Sequence, residues 1–133
     1  MGLATVLLDL QMSGRLSYDA GRNTMFANFE GMAIRSNNDI ESVRRVLEAF
    51  CDRIGHKVSL LVNYDGFRLD ESEADAYFEM VRQLQLKYYS SATRFTTSAF
   101  MRMKLDAAFG KLDSASHVCE THSEAITFVE SQR

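Results

Sequence analysis

The run Val58-Ser59-Leu60-Leu61-Val62 is apolar without the alternation of a half-buried strand, and long amphipathic segments stand on both sides of it. A strand of that kind is covered on both faces, which is the environment of a parallel strand in the middle of an α/β sheet. The flanking segments supply the cover. Over 38–54, Ile40, Val43, Leu47, Phe50 and Ile54 share one helical face, while Arg44, Arg45, Glu48 and Asp52 fall mainly elsewhere. Asn38, with Glu41 three residues on, is the predicted cap of that helix, and Gly55 its left-handed stop. After the strand, Asp70 and Glu73 form a predicted capping-box pair heading a second helix. Its apolar positions are Ala74, Tyr77, Phe78, Val81, Leu84 and Tyr88.

The pattern then repeats. ATRFTT (92–97) reads as a strand, 98–109 as a helix ended near Gly110, SHVCE (116–120) as a strand and 123–131 as a closing helix. Ahead of the first helix, RLSYD (15–19) and NTMFANFE (23–30) flank a connection containing Gly21 and predict a β-hairpin. Leu3, Val6, Leu7 and Leu10 stand at helical spacing, so residues 1–13 are read as a short helix or N-terminal docking segment. The expected fold is α/β with a mixed sheet, a hairpin followed by alternating helices and parallel strands joined by right-handed crossovers.

A chain of 133 residues with 46% hydrophobic and 25% charged residues fits one domain spanning 1–133. No proline, low-complexity tract or repeat divides it. The formal net charge of −3, with scattered basic residues, argues against a nucleic-acid partner. No stretch of about 18 apolar residues predicts a membrane span, and LATVLLDLQM lacks the basic flank of a signal peptide. A cytoplasmic protein is expected, with Cys51 and Cys119 as unbridged, buried thiols.

The segments LSYD, FANFEG, VNYDGF and TRFTTSAFMRMKL carry a resemblance beyond element order. They resemble the C-terminal domain that follows the catalytic part of some bacterial acyl-CoA:acetate/3-ketoacid coenzyme A transferases. The element order resembles the sulfate-transporter and anti-sigma-factor-antagonist (STAS) domains. The likeness runs from about Leu16 onward, and TRFTTSAF is its most specific block, since neither a strand nor a helix requires that order of residues. It implies a STAS-like fold and a non-catalytic accessory domain acting in assembly or in contacts with a transferase catalytic part, in cis or in trans, with self-association as a further mode. The family's acyl-carrying glutamate lies in the upstream catalytic part, so no residue here inherits that role. The alternative is a free-standing STAS-like module that binds a protein or an anionic small molecule.

No catalytic or metal-binding constellation is evident, and no cofactor is expected. The most suggestive group is Asn63, Tyr64 and Asp65 after one strand with Arg94, Thr96, Thr97 and Ser98 at the end of another. If those strands are parallel neighbours, both sets lie at the edge where open α/β sheets bind ligands. Amides opening a helix at Ser98 would favour an anion, such as a phosphate of coenzyme A. The plainer reading pairs Arg94 with Asp65 and leaves Thr97 or Ser98 as a helix cap. His117, Cys119 and His122 are metal-ligand types without a zinc spacing. Ser72 stands where STAS domains are phosphorylated, but among Asp70, Glu71 and Glu73, which would repel a phosphate.

Overall fold

The chain reverses at Asn23, whose φ of 50° makes it the sole non-glycine residue at positive φ among those described. The hairpin turn therefore rests on an asparagine, a residue that tolerates this conformation, and not on Gly21. Its side chain fixes the turn, accepting from the Tyr18 hydroxyl at 2.7 Å and donating to the Lys57 carbonyl at 3.0 Å. The computed structural model describes residues 14–109 and 116–131, and of residues 116 and 117 the backbone alone. The 3–10 segment and the helix stop at Gly110 lie outside the described residues.

The hairpin joins β1 (Leu16–Asp19) to β2 (Thr24–Asn28). After a two-residue strand β3 (Ala33–Ile34), helix α1 runs over Asn37–Ile54. Its cap is Ser36 and not Asn38: Ser36 Oγ accepts from the Asp39 amide, and Asp39 Oδ2 accepts from the Arg35 amide at 2.8 Å. The reciprocal pair begins the helix two residues earlier than the Asn38 reading had it. Gly55 ends it at φ 85°, donating to the Cys51 carbonyl.

Strand β4 (Val58–Asn63) follows, then a second short strand β5 (Arg68–Leu69) that pairs in parallel with β3. This small ladder went unforeseen, and it explains why the Asp70–Glu73 capping box does not form. The Asp70 amide donates to the Ile34 carbonyl, and its carbonyl takes the Glu73 amide at 2.9 Å. The chain makes a 3₁₀ turn over Glu71–Glu73 before α2 (Ala74–Tyr88) begins, with no side-chain cap bond from Asp70. Helix α2 passes directly into β6 (Tyr89–Phe95); α3 (Ala99–Phe109), β7 (Ser116–Cys119) and α4 (His122–Ser131) complete the order.

The five-stranded sheet has the order β1-β2-β4-β6-β7, with β1 antiparallel to β2 and the remaining neighbours parallel. This is the mixed α/β sheet of a STAS-like arrangement, with VSLLV at its centre. Each crossover from β2 to β7 advances one strand in the same direction. Right-handed connections therefore place α1, α2 and α3 on one face. There they form the larger core: Met25, Ala27, Leu60, Val62 and Ala92 from the sheet meet Val43 and Leu47 of α1, Tyr77, Val81 and Leu84 of α2, and Leu105 and Phe109 of α3. Among the described elements α4 alone lies over the opposite face, with a smaller core of Leu61, Phe95, Cys119 and Ala125. No described helix is long and apolar enough to cross a membrane.

Candidate functional site

Strands β4 and β6 are parallel neighbours in a register that sets Asn63 beside Phe95, so their carboxyl ends finish at one edge. The Tyr64 amide donates to the Phe95 carbonyl at 2.9 Å and extends the pairing by one bond. At this edge Asn63 folds back on its own backbone, accepting from the Asp65 amide at 2.8 Å while its Nδ2 donates to Asn28 Oδ1. Asp65 then reaches across to the other strand: its Oδ1 accepts from the Thr97 amide at 2.6 Å and from the Thr97 hydroxyl at 3.0 Å. Ser98 caps α3, its Oγ accepting from the Met101 amide at 3.1 Å. Thr96 is buried, accepts from the Ser98 amide through its hydroxyl, and receives Arg102 Nη1 on its carbonyl at 2.8 Å.

The edge thus gathers Asn63, Asp65, Thr97 and Ser98, while Tyr64, Arg94 and Thr96 belong to the interior. The Asp65–Arg94 pair of the plainer sequence reading is replaced by Asp65–Thr97: Arg94 is fully buried, whereas Asp65, beyond the end of β4, bonds to the exposed Thr97. The anion reading meets the same geometry. A carboxylate already occupies the Thr97 amide and hydroxyl that a phosphate would use, and its charge opposes a second anion there.

Arg94 is fully buried in the larger core, on the face opposite Phe95. Its Nη2 donates to Gln85 Oε1 at 3.0 Å, and its guanidinium lies over the Phe109 ring. Tyr64 and Tyr77 meet hydroxyl to hydroxyl at 2.9 Å beside it. Burial pushes the Arg94 guanidinium down from its ordinary value, opposed by the nearby Tyr64 and Tyr77 hydroxyls. Burial pushes Tyr64 and Tyr77 up, and the Arg94 charge opposes this in both. Desolvation disfavours each charged form, so the cluster is a cation held among neutral phenols and an amide.

Gln85 was missed because an amide in an amphipathic helix reads as a solvated position. Its spacing carried the signal: it stands four residues after Val81 and three before Tyr88, both buried. The other overlooked group lies on α3, which buries Met101, Leu105 and Phe109 at intervals of four. Phe100 and Met103 are left outside that stripe, each 61% exposed, with the Lys104 ammonium 4.9 Å from the Phe100 ring centroid.

No group of three or more His, Cys, Asp or Glu side chains among the described residues is arranged to hold a metal ion. The His117 side chain lies outside the description; His122 stacks on Phe95 at 5.1 Å between ring centroids, and Cys119 is buried. Ser72 is exposed in the 3₁₀ turn between Glu71 and Glu73. No protein-family model, no curated protein and no solved structure matches the chain.

Proposed function

We propose that this chain is a non-catalytic accessory domain that works through protein contacts, associated in cis or in trans with the catalytic part of a bacterial acyl-CoA:acetate/3-ketoacid coenzyme A transferase. The observation that carries the reading is the exposed pair Phe100 and Met103. Both lie in the segment TRFTTSAFMRMKL, the stretch most like the C-terminal domain of those transferases, and packing within this fold demands an apolar side chain at neither position. Aromatic and methionine side chains are enriched in protein interfaces, where few residues supply most of the binding. Lys104 lies over the Phe100 ring and is paired with Glu71, so the border of the patch is charge-balanced and its apolar side chains are what it offers a partner. A cytoplasmic site of action goes with this reading.

The test is calorimetric titration of the chain into a purified transferase catalytic chain from the same genome, with the wild type and with Phe100→Ser combined with Met103→Ser. Binding weakened at least tenfold in a double variant of unchanged unfolding midpoint supports the proposal. No binding by wild type, or equal binding by the folded variant, removes it.

A further inference from the structure

The segments 28–34 (NFEGMAI) and 63–69 (NYDGFRL) follow one pattern: asparagine, aromatic, acid, glycine, a large apolar residue, a variable position and an aliphatic residue. The structure repeats with the sequence. Asn28 Oδ1 accepts from the Glu30 amide and Asn63 Oδ1 from the Asp65 amide, each asparagine bonding the backbone two residues on. The Met32 amide donates to the Phe29 carbonyl and the Phe67 amide to the Tyr64 carbonyl, both at 3.1 Å. Gly31 and Gly66 stand at φ 72° and 68°, the left-handed conformation that the third position of such a turn demands.

The two turns also stack on each other. Asn28 stands 35 positions before Asn63 and beside it in the β2–β4 register, and β3 and β5 pair with the same offset. Like therefore meets like. Asn63 Nδ2 donates to Asn28 Oδ1 at 3.2 Å, the Phe29 and Tyr64 rings meet edge to face at 5.6 Å, and the Gly31 amide donates to the Asp65 carbonyl at 3.0 Å. The Arg68 and Asp70 amides return bonds to the Met32 and Ile34 carbonyls. Stacked repeats need caps at both ends. Arg15 Nη1 supplies one, donating to the Asn28 and Glu30 carbonyls, and Thr97 supplies the other through its two bonds to Asp65.

We infer that β2–β3–α1 and β4–β5–α2 are two copies of one strand–turn–strand–helix unit, and that their stacked turns form a clasp that shuts the carboxyl edge of the sheet over β2 and β4. Both copies contribute to the larger core, so the repeat doubles the unit without dividing the domain. Open α/β sheets bind ligands beyond these strand ends. Here the polar side chains at that edge are engaged within the chain, Asn63 by the neighbouring copy and Asp65 by the entry to α3. Their role is to couple the two turns, and it needs no partner at the α3 patch.

The test is amide hydrogen exchange in the full chain, read by magnetic resonance, with one turn altered and the other observed. Asn28→Ala should speed exchange of the Asp65 and Phe67 amides by about tenfold or more, and Asn63→Ala should do the same to the Glu30 and Met32 amides. The Met101 amide at the start of α3 should keep its rate in both variants. Should an alanine chain not fold, its serine counterpart is read instead, since serine keeps a turn acceptor but not the reach across to the other copy. Faster exchange confined to the altered turn would make the two turns independent and overturn the clasp. An equal rise at Met101 would mean general loosening and overturn it as well.

Discussion

The guanidinium carbon of Arg94 sits 4.1 Å from the centroid of the Phe109 ring, inside the larger core and shielded from solvent. A planar, weakly hydrated cation can stack on an aromatic face while donating in its own plane, here to Gln85. Arg94→Ala should remove that packing and leave the Gln85 amide oxygen without this donor, at a cost of about 2–5 kcal/mol. Arg94→Lys should rescue little, since an ammonium neither stacks nor forks. Denaturant unfolding of the two variants checks this; a lysine variant as stable as wild type would show the site needs only a charge.

Asp65 ties the end of β4 to the start of α3 through both the amide and the hydroxyl of Thr97. Asp65→Ala should destabilise by about 1–2 kcal/mol, the usual loss for a capping acceptor. Asp65→Asn, which keeps an acceptor, should lose less. Equal midpoints for wild type and the alanine variant would mean that the two bonds merely replace equivalent bonds to water.

Cys51 belongs to the core beneath α1 and Cys119 to the core beneath α4, on opposite faces of the sheet. No bridge can form between them without unfolding. Burial, helped by the Asp52 and Glu48 charges and opposed by a hydrogen bond with Tyr89, pushes the Cys51 thiol up; burial and then Glu124 raise Cys119. Alkylation at neutral pH should therefore be slow in the folded protein and reach both thiols only after denaturation. An intact mass matching an internal disulfide would contradict this.

Tyr64, Tyr77 and Tyr89 are buried and hold their phenol protons above the ordinary range, burial being the leading cause in each. The unfolded chain releases such protons near pH 10, whereas the folded chain binds them more tightly. Their contribution to stability is fully present below about pH 10 and falls as pH rises through the folded values. In an alkaline titration, phenolate absorbance from these three should grow together with loss of circular dichroism. Phenolate formation in a chain that keeps its native spectrum would remove them from the core.

The sheet was legible because its signals are local and strong. VSLLV reads as a doubly covered strand and stands at the centre of the sheet, and the stripe of Tyr77, Val81 and Leu84 faces the larger core as its spacing predicted. The misreadings came from contacts that spacing does not encode. The Asp70–Glu73 pair matches a capping box in sequence, but the β3–β5 pairing takes the backbone of Asp70 first. Arg94 looked like a ligand-gripping residue because a charged side chain near a strand end is usually exposed. Its burial depends on Gln85 and Phe109, nine and fifteen positions away along the chain. Asp65 and Thr97 were rightly placed at one edge, yet their meeting could not be told from an open ligand site until the hydrogen bonds were seen.

The unequal division of the core between the two sheet faces also bears on how the chain is made. Synthesis delivers α4 after the other described elements, and by then the residues that build the larger core, from Met25 to Phe109, have all been added. A nascent chain can thus close its main core before α4 leaves the ribosome. That helix, attached through Ala125 and a few partly buried neighbours, can also open at less than the full free energy of unfolding. An element made after the main core is then the first to let go, and the domain can expose Leu61 and Phe95 without losing its fold.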